Sequence, residues 1–210
     1  MTGGWIDISC GTSSATPEWP GDTPFSCGWT LRIDGGASVN LSAFTMSPHV
    51  GTHADAPVHV HDGWPASDML PLAVFAGPAV VCRVDVAAGE LELAQLRGLP
   101  PEGRVERVLL RTGRSIAAGT FPGSWPTLSV AAVIELLARG LRLLGVDAPS
   151  VDARDSKTLE VHQALFGGGA YNLENLDLSH AEDGAYELFA FPMRVLGVDA
   201  APVRAVLRRS

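Results

Sequence analysis

The chain carries six histidines, and four of them, His49, His53, His59 and His61, crowd into the stretch SPHVGTHADAPVHVHDG together with Asp55. Imidazoles and a carboxylate packed this closely are costly to bury unless an ion compensates them. A helical zinc site of the HExxH kind is excluded, because no Glu follows His49 and because Pro48, Gly51 and Pro57 interrupt any helix. An extended chain suits the spacing better. Positions 49, 53, 55 and 59 are all odd, so an unbroken strand would point the four side chains to one face. Gly51 and Thr52 would let the backbone turn close to a bound ion. Two imidazoles and a carboxylate make a nitrogen/oxygen donor set for zinc, and one that also suits manganese, iron or cobalt. His61 neighbours His59 at even spacing, but nothing in the pattern gives it a role.

Such a cluster needs further ligands from elsewhere in the chain. His162, on an expected helix just ahead of Gly167-Gly168-Gly169, is a better candidate than His180, which sits in the polar turn DLSHAEDG. Glu174 lies in the half-apolar segment YNLENLDL, where a buried carboxylate would need a partner. Trp19 is a large aromatic in a loop with little reason to bury one. Other chemistries are poorly represented. There is no GxSxG elbow for a serine nucleophile. The glycine triplet lacks the Lys-Ser/Thr of a phosphate loop and more readily ends a helix. Cys10, Cys27 and Cys82 are odd in number and not spaced for a disulfide framework or a thiolate zinc site.

The elements that must position these residues are short. At 210 residues, 46% hydrophobic and 18% charged, the chain is expected to form one α/β domain, 1–210, with a mixed sheet. Its formal charge of −8, without a basic cluster before the last few positions, argues against nucleic-acid binding. No apolar run reaches a membrane span, and MTGGWIDIS has no secretory leader pattern, so a cytoplasmic protein is expected. Strands are predicted at 5–9, 38–47, 78–86, 105–111, 141–147, 185–193 and 202–208, with a loop over 10–28. The clearest helix is 129–140, capped by Ser129 and ended by Gly140; others are predicted over 157–166 and about 91–97.

The stretch HVGTHADAPVH resembles the HxGTHxDxPxH motif of the cyclase-like metal-dependent hydrolases. The likeness continues through TPEWPGDTPF, GVDAPSVD, SKTLEVHQALF, LENLDL and FAFPMRVLGVDAAPVRAVL, and so covers essentially the whole chain. Within that family, WPGD points to the bacterial kynurenine formamidases, which hydrolyse N-formylkynurenine in tryptophan breakdown. The resemblance implies a swivelling β/β/α fold, a homodimer, and two divalent metal ions, usually zinc. By position in the motif, His49, His53 and Asp55 would hold one ion. Asp55 would bridge to a second, held also by His162 and Glu174. His59 would be the catalytic acid/base, and Trp19 would pack against the aromatic substrate. A sister hydrolase opening another cyclic amide or lactone, as isatin hydrolases do, shares the motif. A non-catalytic metal binder would keep the ligands, but the presence of His59 counts against it.

Overall fold

A computed structural model describes residues 4–209; Met1–Gly3, at the start of the segment read for a leader, and Ser210 lie outside them. Chain order gives strands β1 (Trp5–Asp7), β2 (Ser26–Leu31), β3 (Leu41–Thr45), β4 (His53–Asp55) and β5 (Ala76–Val84). Then come β6 (Gly89–Leu91), β7 (Leu96–Arg97), β8 (Arg107–Arg111), β9 (Pro126–Leu128), helix α1 (Val130–Ala138) and β10 (Leu143–Val146). Helix α2 (Glu160–Gly167) precedes β11 (Tyr171–Leu173), β12 (Gly184–Phe189), β13 (Ala200–Pro202) and β14 (Val206–Arg209).

The main sheet runs β1-β14-β12-β5-β8-β10-β11, with β7 added beside β5. Its β1, β14, β12 and β5 pair antiparallel, while β5, β8, β10 and β11 pair parallel. The parallel strands are the Val- and Leu-rich runs, as expected where both faces are covered. Alternation along them feeds two cores. Val80, Cys82, Val108, Leu110, Leu144 and Val146 meet Val133 and Leu136 of α1 and Val161 and Leu165 of α2. Val81, Leu109, Leu143 and Leu173 face the opposite way, against Ala54, Val74 and Phe75. Each fully buried leucine or valine contributes about 1.5–3 kcal/mol, so this two-sided burial is what fixes the register.

The expected mixed α/β class is found, and Ser129 caps α1 by accepting the Ala132 N–H. The helix predicted at 91–97 does not form. Leu91 ends β6, Leu93–Gln95 make one 3-10 turn, and Leu96–Arg97 pair with β5, because sheet pairing and a Glu92–Gln95 capping box take up the backbone donors. The loop expected over 10–28 gives way at Ser26 to β2, which pairs with β3 as a hairpin whose strand residues are all exposed. The strand expected at 202–208 is two, β13 and β14, in different sheets. Among the described residues, no helix is long and apolar enough to cross a membrane.

Candidate metal centre and active site

Strand β4 is held on both edges. Along one it pairs antiparallel with β13, placing Asp55 opposite Ala200 and His53 opposite Pro202. Along the other, His53 and Glu174 exchange backbone hydrogen bonds of 3.3 and 3.0 Å. The two-residue period turns His53 and Asp55 to one side and sends Ala54 into the core. The same alternation in β11 sends Leu173 to the core and leaves Asn172 and Glu174 on the side of Asp55: Asn172 Nδ2 donates to Asp55 Oδ2 at 2.7 Å and to Glu174 Oε1 at 3.1 Å.

The unbroken strand expected through 49–59 is not what brings the histidines together. The strand covers only His53–Asp55. His49 arrives through a turn at Gly51, whose φ of +75° suits glycine, and a Cβ there would lie 2.5 Å from Thr12 Oγ1. His59 ends the 3-10 turn Pro57–His59. Proline removes the donor and fixes the φ that an extended ladder would need, so the chain folds back and presents His59 beside His49, their rings 4.5 Å apart.

Three sets of donor atoms result, each within 4.8 Å: His49, His53 and Asp55; Asp55, His162 and Glu174; and, on the open side, His49, His59 and Asp199. Asp55 belongs to the first two. His53, Asp55, His162 and Glu174 are all buried. His53 Nδ1 donates to Gly51 O at 2.9 Å, which leaves Nε2 to face Asp55 Oδ1 at 3.2 Å. His162 Nδ1 donates to Asp152 Oδ2 at 2.6 Å, so its Nε2 faces Asp55 Oδ2 at 3.1 Å and Glu174 Oε1 at 3.2 Å. Asp55 Oδ1 lies among these imidazoles yet accepts no hydrogen bond. A buried carboxylate oxygen without a donor, with bare imidazole nitrogens turned on it, fits a divalent cation better than it fits a hydrogen-bonded cluster.

The electrostatics agree. Burial opposes charge on His49, but the carboxylates of Asp199 and Asp55 beside it overcome this and push its pKa up to about 10. Burial likewise opposes charge on His162, yet Asp152, Asp55 and Glu174 raise it well above the ordinary imidazole value. Burial would raise the Asp55 carboxyl, but the nearness of His53, His162 and His49 holds it well below the usual range. The carboxylates thus favour positive charge among the imidazoles, which a metal ion would supply in place of protons.

A cavity of about 430 Å³ adjoins these groups, lined by His49, His53, His59, His162, Glu174, Trp19 and Phe121 among others. Trp19 meets Phe121 and Trp125 edge to face, at 5.5 and 5.9 Å between ring centres. All seven expected site residues are thus brought to one place, with the aromatic wall beside the ligand atoms. His61 is exposed and stacks on Trp64 instead, and His180 is exposed in its turn. Sequence reasoning missed Asp152, Asn172 and Asp199. Asn172 could have been found, since it stands two residues before Glu174 in a strand. Asp152 lies only ten residues before His162, but in a loop whose pattern points to no partner, and Asp199 reaches His49 from 150 residues away.

Residues 6–153 match the family model described as "Putative cyclase". The chain belongs to the cyclase family. Within it, the chain is 43% identical to a kynurenine formamidase of Bacillus mycoides (strain KBAB4), over 99% of this chain and 98% of that protein. It is 41% identical to a kynurenine formamidase of Bordetella avium (strain 197N), over 96% of each. Isatin hydrolase A from Labrenzia aggregata has the same cyclase fold, with a TM-score of 0.83 and 23% identity over 98% of this chain and 93% of that one.

Proposed function

We propose that this cyclase-family protein is a metal-dependent arylformamidase that hydrolyses N-formylkynurenine to kynurenine and formate, with two zinc ions per subunit. The observation that carries this reading is Asp55, shared between two donor sets beside an aromatic-walled cavity. The 43% identity to kynurenine formamidases, over nearly the full length, selects the substrate. His49, His53 and Asp55 would hold one ion, and Asp55, His162 and Glu174 the other. Bound there, the ions supply Lewis acidity, which makes a nucleophile of water at neutral pH and polarises a carbonyl oxygen.

The chain's own residues account for the rest. An anilide leaves poorly unless its nitrogen is protonated, and His59 lines the cavity outside the two donor sets that share Asp55, so it is the group to deliver that proton. Trp19, backed by Phe121 and Trp125, offers a face for the aryl ring and thereby orients the formamide toward the carboxylates and imidazoles. A formyl group carries only hydrogen beyond its amide, so it can enter a site walled this closely.

We further read the protein as a cytoplasmic homodimer. The free thiols Cys10, Cys27 and Cys82 suit a reducing compartment. The β2–β3 hairpin supports the dimer: Trp29 and Phe44 are 57% and 59% exposed, and an isolated two-stranded ribbon is only marginally stable without cover.

The test is hydrolysis of N-formylkynurenine by the purified protein, before and after chelation and with zinc added back. Turnover that chelation abolishes and zinc restores is the expected result. A metal-loaded protein inactive on this substrate but active on isatin would move the assignment to the ring-opening hydrolases whose fold it shares.

A further inference from the structure

We propose that Asp199 is a positioning residue that acts on two histidines through one carboxylate oxygen, fixing which nitrogen of His59 exchanges a proton and which nitrogen of His49 faces the metal. Asp199 Oδ2 lies 3.0 Å from His49 Nε2 and 3.4 Å from His59 Nδ1. A carboxylate can only accept, so both of those nitrogens carry hydrogen. With Nε2 engaged by Asp199, the His49 nitrogen turned to the first donor set is Nδ1, 3.1 Å from Asp55 Oδ1 and 3.1 Å from His53 Nε2. The bare nitrogen of His59 is Nε2, on a ring that lines the cavity.

The carboxylate is itself well placed. Its backbone oxygen accepts the Ala56 N–H at 2.8 Å, immediately beyond the Asp55–Ala200 pair, so the ladder that sets Asp55 also sets Asp199. Carboxylates that orient metal-bound imidazoles in this way change metal affinity or activity by about 10–100-fold when removed. One oxygen serving both rings ties the geometry of proton transfer to the geometry of metal binding.

The role in turnover rests on the formamidase reading, so the test has arms that do not. Asp199→Ala and Asp199→Asn would be compared with the wild type in the zinc-loaded state. The Asp199 side chain is 46% exposed, so neither change opens a hole in the core. Expected are a kcat about 10–100-fold lower with KM within about twofold, and zinc binding weakened about 10-fold with both ions still loaded at saturation. Nitrogen NMR of the imidazoles should show His59 protonated at Nδ1 in the wild type and losing that preference in Asp199→Ala. An unchanged His59 tautomer together with unchanged kcat overturns the proposal. Loss of one zinc per subunit at saturation also overturns it, by making Asp199 a ligand. If the wild type leaves N-formylkynurenine intact, the formamidase reading fails, and the tautomer and zinc affinity still decide the role of Asp199.

Discussion

Around His162 the ligand side chains are tied down by other buried residues, whereas around His49 and His59 the side chains hang from turns and face the cavity. Asp152 holds His162 Nδ1 and also accepts the N–H groups of Val161 and His162, so one buried carboxylate caps α2 and orients the ligand. Asn172 bridges Asp55 and Glu174, and Glu174 Oε1 accepts the Val151 N–H at 2.8 Å as well. On the other side, the His59 and Asp199 side chains are 29% and 46% exposed. The difference separates two tasks. The buried side is built to hold charge without moving, and the open side is where substrate arrives and a proton must come and go.

Four substitutions would break or sharpen this contrast. Asp55→Ala should have the largest effect, because it removes the residue common to both donor sets: metal analysis should find both ions lost, with turnover abolished. Wild-type metal content in that variant would mean the two sides do not share a ligand. Next, His59→Ala should keep its metal and its fold while kcat falls about 10²–10⁴-fold, as expected for losing acid/base assistance; full activity would take His59 out of the chemistry. Asp152→Ala acts on the buried side alone. There, zinc affinity measured by competition with a chelator should fall about 10–100-fold, and thermal unfolding should show the loss of a helix cap worth about 1 kcal/mol. If zinc affinity held, the buried side would not depend on its supporting carboxylate. The smallest effect is expected for Trp19→Ala, a KM about 2- to 10-fold higher at nearly constant kcat, matching the loss of an aromatic contact of about 0.5–1.5 kcal/mol. An unchanged KM would leave Trp19 as loop packing.

How much of this was legible in the sequence depended on whether the signal was local. Crowded histidines flag a metal site wherever they sit, and the Val/Leu runs of β8 and β10 announce buried parallel strands. Ser129 and Gly140 delimit α1 because caps are read from adjacent residues. Sequence failed where distant pairing overrode local pattern. Residues 91–97 have helical spacing, yet β5 and β9 recruit their ends into sheets. The odd-number spacing of the histidines suggested one strand, and the right side chains converged for a different reason, the turns at Gly51 and Pro57. Asp199 shows the limit: 150 residues separate it from His49, and only the β13–β4 ladder brings them together.

That ladder also bears on how the protein is made. The metal-facing residues begin at His49, but the strand that seats them is closed by β13, close to the end of the chain. A growing polypeptide still lacking its last dozen residues holds four histidines and a carboxylate near one another, with one edge of β4 still open. Long-range pairing of this kind is slow to form and is completed late. Loading with metal would then follow folding instead of guiding it, and a short C-terminal truncation would cost the centre while leaving all five of its proposed ligands in the sequence.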